Sequence, residues 1–508
     1  MSLKEHDRRS FIADAAGDYA ARRIGKREFL RRLAVAGVGL SSFAAGFLGG
    51  LRPGAGLVTR AAAQPQSGPD PKLVQWLRDV GSRFKGKKIR YTSEATPPTI
   101  VANQLAKDEF TANTGIEVEI EIVPLEQVLQ KATVDSQGKL GTYDLYYLDQ
   151  SWTALFAPDT LDPRELLAKK ADLALPDFDM NDFSKPLVEG ISMYRDKMIG
   201  LPFDIPIFIM MYRKDLLEKH RLQPPTTMQE YLNAVRTIDQ AERGNGVFGT
   251  TGQLRSGHYS LNCDWTAWLW SHGGSVFDKA GMFSGGDEAG IAGLNYMLEL
   301  VKHMPPAAKT WTWDGEGQSL TQGNAALCIS WGEFFPAFDG PDSKVRGLME
   351  AARPPKETRL RTPAEAGFLE IPHIGHQGGS SLAISRYSRN QDAAWIFMQW
   401  VCSKDVVARS SALGGGASPV RSSAFHDPRV LEHAKVGPGT TRHFPAIEWT
   451  INNAMGSEPK FPAWVELSNN TIPVELGRLL AGQHRGPAEC MAAIKQQADR
   501  AAAPFRGK

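Results

Sequence analysis

The stretch from Lys88 to Leu148 constrains the fold more than any other part of the chain, because its apolar residues change period repeatedly. Lys88 to Thr92 (KIRYT) is a short strand candidate. Ile100 to Asn113 carries Ile100, Val101, Leu105 and Phe110 with polar residues between them, which suits a helix, and Gly115 breaks it. Ile116 to Val123 (IEVEIEIV) then alternates strictly, with Ile116, Val118, Ile120 and Ile122 on one face, as a half-buried strand does. Leu125 to Thr133 reads as a helix and Tyr143 to Leu148 (YDLYYL) as a buried strand. Strand, helix, strand, helix, strand at this spacing predicts an α/β fold with a parallel sheet and helical crossovers.

Further along, a long apolar run from Met198 to Tyr212 is broken by Pro202 and Pro206. Thr227 reads as a helix N-cap, with Glu230 three residues later completing a capping box. Ala325 to Ser330 (AALCIS) and Ser381 to Ser385 are strand candidates. Asp392 to Val401 is an amphipathic helix, and Pro462 to Ala503 reads as two or three helices. A chain of 508 residues has room for two to four domains or two large lobes. Its 58 basic and 56 acidic residues leave a net charge of +2, which argues against nucleic acid as the main partner. The four cysteines, Cys263, Cys328, Cys402 and Cys490, are too scattered for a disulfide framework or a zinc site; oxidation and four buried thiols remain equally good readings.

The first 63 residues read as an address. Leu33 to Leu51 is uncharged but rich in Gly, Ala and Ser, too weakly apolar for a stable membrane span. Basic residues precede it, and Ala61-Ala62-Ala63 follows as a cleavage pattern. Lys26-Arg27-Glu28-Phe29-Leu30-Arg31 resembles the twin-arginine box with Lys in the first place. An exported, periplasmic protein starting near Gln64 is expected. No cysteine near the cleavage region supports a lipid anchor. Residues 64–86 read as a linker.

Catalytic signatures do not appear. The chain has no G-x-S-x-G elbow, no H-E-x-x-H and no P-loop. His373 and His376 form an H-x-x-H between turn residues, read as a surface loop rather than a metal site. Neither a cofactor nor a metal is expected, and a non-enzyme is the favoured class. Carboxylates are plentiful, so a glycoside-hydrolysing pair stays open.

The order of several short blocks resembles the extracellular solute-binding proteins of carbohydrate ABC importers, the group related to maltose-binding protein. The blocks are Phe110 to Val118 (FTANTGIEV), Tyr143 to Trp152 (YDLYYLDQSW), Gly200 to Leu217 (GLPFDIPIFIMMYRKDLL), Pro225 to Tyr231 (PTTMQEY), Gln322 to Ile329 (QGNAALCI), Gly378 to Ser385, Ala393 to Phe397, and Gly414 to Arg421 (GGGASPVR). The resemblance implies a periplasmic-binding-protein type II fold: two α/β lobes joined by a hinge, with the ligand cleft between them. Residues 87–203 plus 380–430 would form lobe 1, and 204–379 plus 431–508 lobe 2. It also implies a monomer that takes a small-molecule carbohydrate or polyol and delivers it to the ABC permease subunits at the membrane. An exported carbohydrate-active enzyme is one alternative. A binding protein for a cationic solute such as a polyamine is another.

A sugar has an apolar C–H face that packs on flat rings and a rim of hydroxyls that carboxylates accept strongly. Asp149 and Trp152, after the strand at Tyr143–Leu148, are the leading pair of ligand candidates, against a helix cap and a core indole. Glu94 follows the first strand. Asp204 is a charge inside an apolar crossing segment, which needs a partner. Trp331 follows the strand at Ala325–Ser330. Asp264, Trp265, Trp313 and Trp464 are further candidates by residue type and position. By the same resemblance the chain crosses between the lobes first near Pro202–Pro206 and again near Gly379–Ala383, where Gly379 and Ser380 are expected to offer a backbone amide and a hydroxyl. Arg421 either binds ligand or ties down its loop.

Overall fold

A computed structural model describes residues 68–360, 368–371, 375–414 and 418–506. The expected signal segment, residues 64–67 of the expected linker, His373 and residues 415–417 of the last motif block lie outside them.

The alternating run around Ile116–Val123 becomes a strand, Glu117–Ile122 (β2), parallel to Lys88–Ser93 (β1) in unbroken register. Leu145–Asp149 (β3) lies parallel on the other side of β1. The remaining two strands of this first sheet, Leu201–Asp204 (β4) and Ser380–Ile384 (β9), come from far along the chain, giving the order β2-β1-β3-β9-β4. Strand β9 runs antiparallel to both β3 and β4, so the sheet is mixed rather than wholly parallel.

A second sheet contains Phe208–Arg213 (β5), Phe248–Thr250 (β6), Ala325–Trp331 (β7) and Met349–Ala352 (β8), in the order β8-β5-β7-β6. Strand β7 is buried along its whole length, as its apolar composition predicts. Residues 205–207 lead from β4 to β5. A return stretch runs beside them: Ile207 bridges Gln377, and the Gly378 amide donates to the Pro206 carbonyl at 2.8 Å. Two adjacent segments thus connect the sheets here.

Helices cover both sheets. Residues 64–86, expected as a linker, instead hold a helix at Pro71–Asp79 (α1), capped by the Asp70 side chain. Leu73, Trp76 and Leu77 anchor it in the core, which corrects the linker reading. The helices Pro97–Leu105 (α2) and Leu125–Gly138 (α3) are the crossovers of the parallel unit. Met228–Glu242 (α4) begins at the expected capping box, with Thr227 and Glu230 exchanging both bonds. Tyr259–Ser271 (α5) is buried on every side, which explains its three tryptophans and the absence of an amphipathic pattern. Trp313–Thr321 (α6) packs against β7. Gln391–Val401 (α7) packs Trp395, Phe397 and Trp400 into the first sheet's core. All four cysteines are buried and unpaired. His376 is fully buried in a two-residue strand, which corrects the surface-loop reading.

Candidate functional site

The strand directions bring one end of each sheet to the crossing. Ser380 opens β9 and sits in register with Asp149 at the end of β3 and with Asp204 at the end of β4. Strand β1 ends at the same edge, and Glu94 follows it in the turn capped by Thr96. The ends of strands in an open α/β sheet are where the backbone leaves room for a ligand. From the second sheet, Trp331 ends β7 opposite Phe208, and Glu333 follows two residues later. Trp313 and Asp314 open α6.

Five carboxylates share this region. Glu94 is partly exposed, yet desolvation holds its carboxyl well above the usual range, and Glu333, Asp314, Asp204 and Glu126 push it further. Asp204 has no exposed surface. Its Oδ2 accepts from the Tyr147 hydroxyl at 3.0 Å. Its Oδ1 makes no hydrogen bond, and burial raises its pKa to about 6 against the pull of the nearby Thr96 and Tyr147 hydroxyls and the Ile205 amide. Glu333 is raised well above its ordinary value by burial and by Asp204 and Asp314. At the mouth, the His258 imidazole meets Glu126 at 2.6 Å and stacks obliquely on Trp313, with ring centres 4.7 Å apart. Trp313 remains partly exposed.

Other expected site residues are engaged inside the protein. Asp149 caps a short helical turn, accepting from the Ser151 amide at 2.8 Å and hydroxyl at 2.6 Å, and Trp152 is buried behind it. Both therefore take the cap-and-core role. Trp265 has no exposed surface and stacks on Phe283. Trp464 is equally buried and its indole N–H donates to Glu458 at 2.7 Å. The Gly379 amide donates to Gln377 Oε1 at 2.8 Å, and its carbonyl accepts from the Gln150 amide at 2.9 Å, so neither backbone group faces a ligand. Asp264 accepts from the Gln253 amide and side chain, and Gln253 Oε1 in turn accepts from the Trp331 indole N–H at 3.0 Å. Trp331 itself packs edge-on to Phe208 and over Gly378, where a Cβ would lie 2.8 Å from its ring.

Arg421 is fully buried. Its Nε donates to the Cys402 carbonyl at 2.6 Å and Nη1 to the Asp179 carbonyl at 2.9 Å, while its guanidinium lies over Phe183 at 4.0 Å and Phe178 at 4.8 Å. It ties its loop to the first sheet's periphery. That leaves Glu94 and Trp313 partly exposed at the crossing, with Asp204 and Ser380 buried beside them, each with a side-chain oxygen that makes no hydrogen bond.

Several members of the region have no sequence signal. Tyr147 and Glu126 look like an ordinary strand residue and an ordinary helix residue. Glu458 lies in an irregular segment, yet it accepts from Asn262 and Trp464 at 2.7 Å each, and burial beside Asp149 raises its pKa to about 8. Glu333 has nothing in the sequence to mark it beyond its place two residues after Trp331. Among the described residues, no group of three or more His, Cys, Asp or Glu side chains is arranged to hold a metal ion, and no helix is long and apolar enough to cross a membrane.

Comparison with known proteins matches this architecture. A probable amino-acid ABC transporter periplasmic-binding protein of Sinorhizobium fredii is 26% identical over 389 residues, 75% of this chain and 81% of its own length. A solute-binding protein of Agrobacterium radiobacter solved with ribitol superposes with a TM-score of 0.72 at 23% identity, covering 82% of this chain and 99% of that one. The maltose-bound MalE3 of T. maritima superposes at 0.70 and 23% identity, covering 82% and 100%. The expected type II fold of two α/β lobes is thereby established. The family model for bacterial extracellular solute-binding proteins matches residues 95–408, more than half of the sequence, and the chain belongs to that family.

Proposed function

We propose that this protein is the exported solute-binding component of an ABC importer, that it takes a carbohydrate or polyol between its two sheets, and that it hands the solute to membrane permease subunits. The observation that carries this reading is the pairing of unlike groups at the crossing. Trp313 offers a partly exposed indole, while Glu94, Asp204, Glu333 and Ser380 offer oxygen acceptors and a hydroxyl. A flat apolar ring beside several acceptors suits a molecule with one C–H face and a rim of hydroxyls. The ribitol and maltose held by the two solved relatives support the same solute class.

In this reading 87–203 plus 380–430 and 204–379 plus 431–508 act as two lobes. The segments 205–207 and 377–379 are the hinge, and the Glu126–His258 pair at 2.6 Å helps hold the closed form. The protein acts as a monomer, needs no cofactor and leaves its solute unchanged. Residues 1–63 direct export through the twin-arginine route, without a lipid anchor. The name of the Sinorhizobium relative favours an amino acid as a second reading.

Thermal unfolding against a panel of monosaccharides, polyols, oligosaccharides, amino acids and polyamines tests these readings. A solute at 100 times its Kd stabilises by about 2.7 kcal/mol. For a folded unit spanning Pro65–Lys508 that corresponds to roughly 3 °C. A shift with a carbohydrate or polyol recovered unchanged is expected. A shift confined to amino acids moves the assignment to the second reading, and chemical conversion of a bound glycan refutes a pure binding role.

A further inference from the structure

We infer that the solute carries a protonated nitrogen, so that the ligand is an amino sugar or amino-polyol whose ammonium group sits among Glu94, Asp204 and Glu333. This inference rests on the carbohydrate-or-polyol reading and narrows it.

The first observation is an unpaired acceptor in a dry place. Asp204 has no exposed surface, and its Oδ1 has no hydrogen-bond partner, although the Thr96 hydroxyl and the Ile205 amide lie near enough to the carboxyl to lower its pKa. Leaving a buried carboxylate oxygen unbonded is costly, and such a group in a native site needs a reason. Glu333 Oε2 is likewise buried and unpaired, and the buried Ser380 hydroxyl, beside Asp204 in the sheet register, has the Tyr147 hydroxyl as its polar neighbour. The second observation is the sign of the surrounding charge. The strongest electrostatic influences on Glu94 come from Glu333, Asp314, Asp204 and Glu126, all of them acids. Those on Glu333 come from Asp204 and Asp314. Two bases act on Glu126 at the rim: His258 pairs with it at 2.6 Å, and the exposed Arg255 attracts it from further away. Tyr147 contributes a hydroxyl to Asp204 and no charge, because burial raises its pKa far out of range.

Carboxylates crowded in this way cannot all ionise unless a cation joins them. A neutral polyol gives hydroxyl donors but does nothing for the charge. An ammonium group gives three N–H donors and a positive charge in one small unit. In this inference Asp204 Oδ1, Glu333 Oε2 and a Glu94 oxygen are the three acceptors, and each bond is charge-assisted. The hydroxyls of the same ligand then remain for Ser380 and Asp314, and its C–H face for Trp313.

A proton balance follows. Without a cation, burial holds the Asp204 carboxyl near a pKa of about 6 and those of Glu94 and Glu333 well above their usual range. A bound ammonium favours their ionised forms, so the acids lose protons to solvent when the amine binds. Affinity for the amine therefore rises with pH until the amine itself deprotonates.

The test is isothermal titration of the full chain with matched probes: glucose, glucosamine and N-acetylglucosamine; sorbitol and 1-amino-1-deoxysorbitol; spermidine and a set of amino acids. An amine is expected to bind at least about tenfold more tightly than its neutral twin at pH 7.5. It should release protons, seen as a binding heat that changes with the ionisation enthalpy of the buffer. It should weaken in high salt and tighten between pH 5.5 and 7.5. Glu333→Gln and Glu94→Gln, both at partly exposed side chains, should bring the amine-to-neutral ratio towards one; Asp204→Asn should do the same if it folds. Equal or tighter binding of the neutral twins overturns this inference and leaves the carbohydrate reading standing. Binding of spermidine or an amino acid alone, or no binding of any sugar or polyol in either form, overturns both.

Discussion

Replacing Arg421 by alanine separates a structural arginine from a ligand-binding one. The side chain is wholly buried, donates to the Cys402 and Asp179 carbonyls at 2.6 and 2.9 Å, and lies 4.0 Å from the centre of the Phe183 ring. Two bonds from a charged donor are worth about 1.5–3 kcal/mol each, and a desolvated cation–π contact adds about 2 kcal/mol. The desolvation of the guanidinium, which the variant no longer suffers, offsets part of this, so the net cost expected for breaking a buried charged cluster is about 3–5 kcal/mol. Unfolding entropy near 2.1 cal/mol/K per residue gives roughly 0.9 kcal/mol/K for the unit Pro65–Lys508. The variant should therefore melt about 3–5 °C lower. Calorimetric melting, paired with titration of whichever solute stabilises the parent protein, reads both effects. A lower Tm with Kd changed by less than about twofold is expected. A Tm within 1 °C of the parent together with a tenfold loss of affinity would refute the reasoning and return Arg421 to the cleft.

The two tryptophan classes should separate in the same assays. Trp313→Ala should weaken solute binding about tenfold with Tm nearly unchanged, whereas Trp265→Ala should cost about 3–5 kcal/mol through the cavity it leaves; the reverse pattern refutes the assignment. Thermal stability should fall as pH rises from 6.5 to 8. Burial raises Asp149 and Asp264 to about 7 and Glu458 to about 8. These are acids with folded pKa above the unfolded value, so they stabilise while protonated and lose that stability as pH climbs through the folded values. Below pH 6.5 His376, lowered to about 3 by burial, acts in the opposite direction, so the test window starts there. Each proton held only by the folded state contributes about 1.4 kcal/mol per pH unit, roughly 1.5 °C, and Glu458→Gln should flatten the slope; a rising or flat profile in the parent refutes the linkage. Gly379→Ala should destabilise by about 1–3 kcal/mol, because its Cβ would lie 2.7 Å from Ile191 and 2.8 Å from Ile205. An unchanged Tm would show that the crossing yields easily.

The sequence alone determined the local elements and their order. The strict alternation of Ile116–Val123, the capping box at Thr227 and Glu230, and the uniformly apolar Ala325–Ser330 each report a period or a cap that needs no distant partner. The crossing around Pro202–Pro206 was legible only through the resemblance to the solute-binding family, since prolines breaking an apolar run do not by themselves say that the chain changes sheets. Which aromatic or polar residue would face a ligand was not legible, because an indole in a core and one in a cleft occupy the same kind of position along a strand or helix. Trp265 and Trp464 went inward because the all-buried α5 and Glu458 enclose them, while Trp313 stayed partly open beside His258. Arg421 turned inward because two carbonyls, two phenyl rings and the Asp182 carboxylate at 3.4 Å surround it. The gathering of Glu94, Asp204, Glu333, Asp314 and Glu126 depends on strand β9 returning between β3 and β4 and on two segments passing between the sheets. Electrostatic crowding is a property of distances in space, and those distances are set by long-range pairing that no local period encodes.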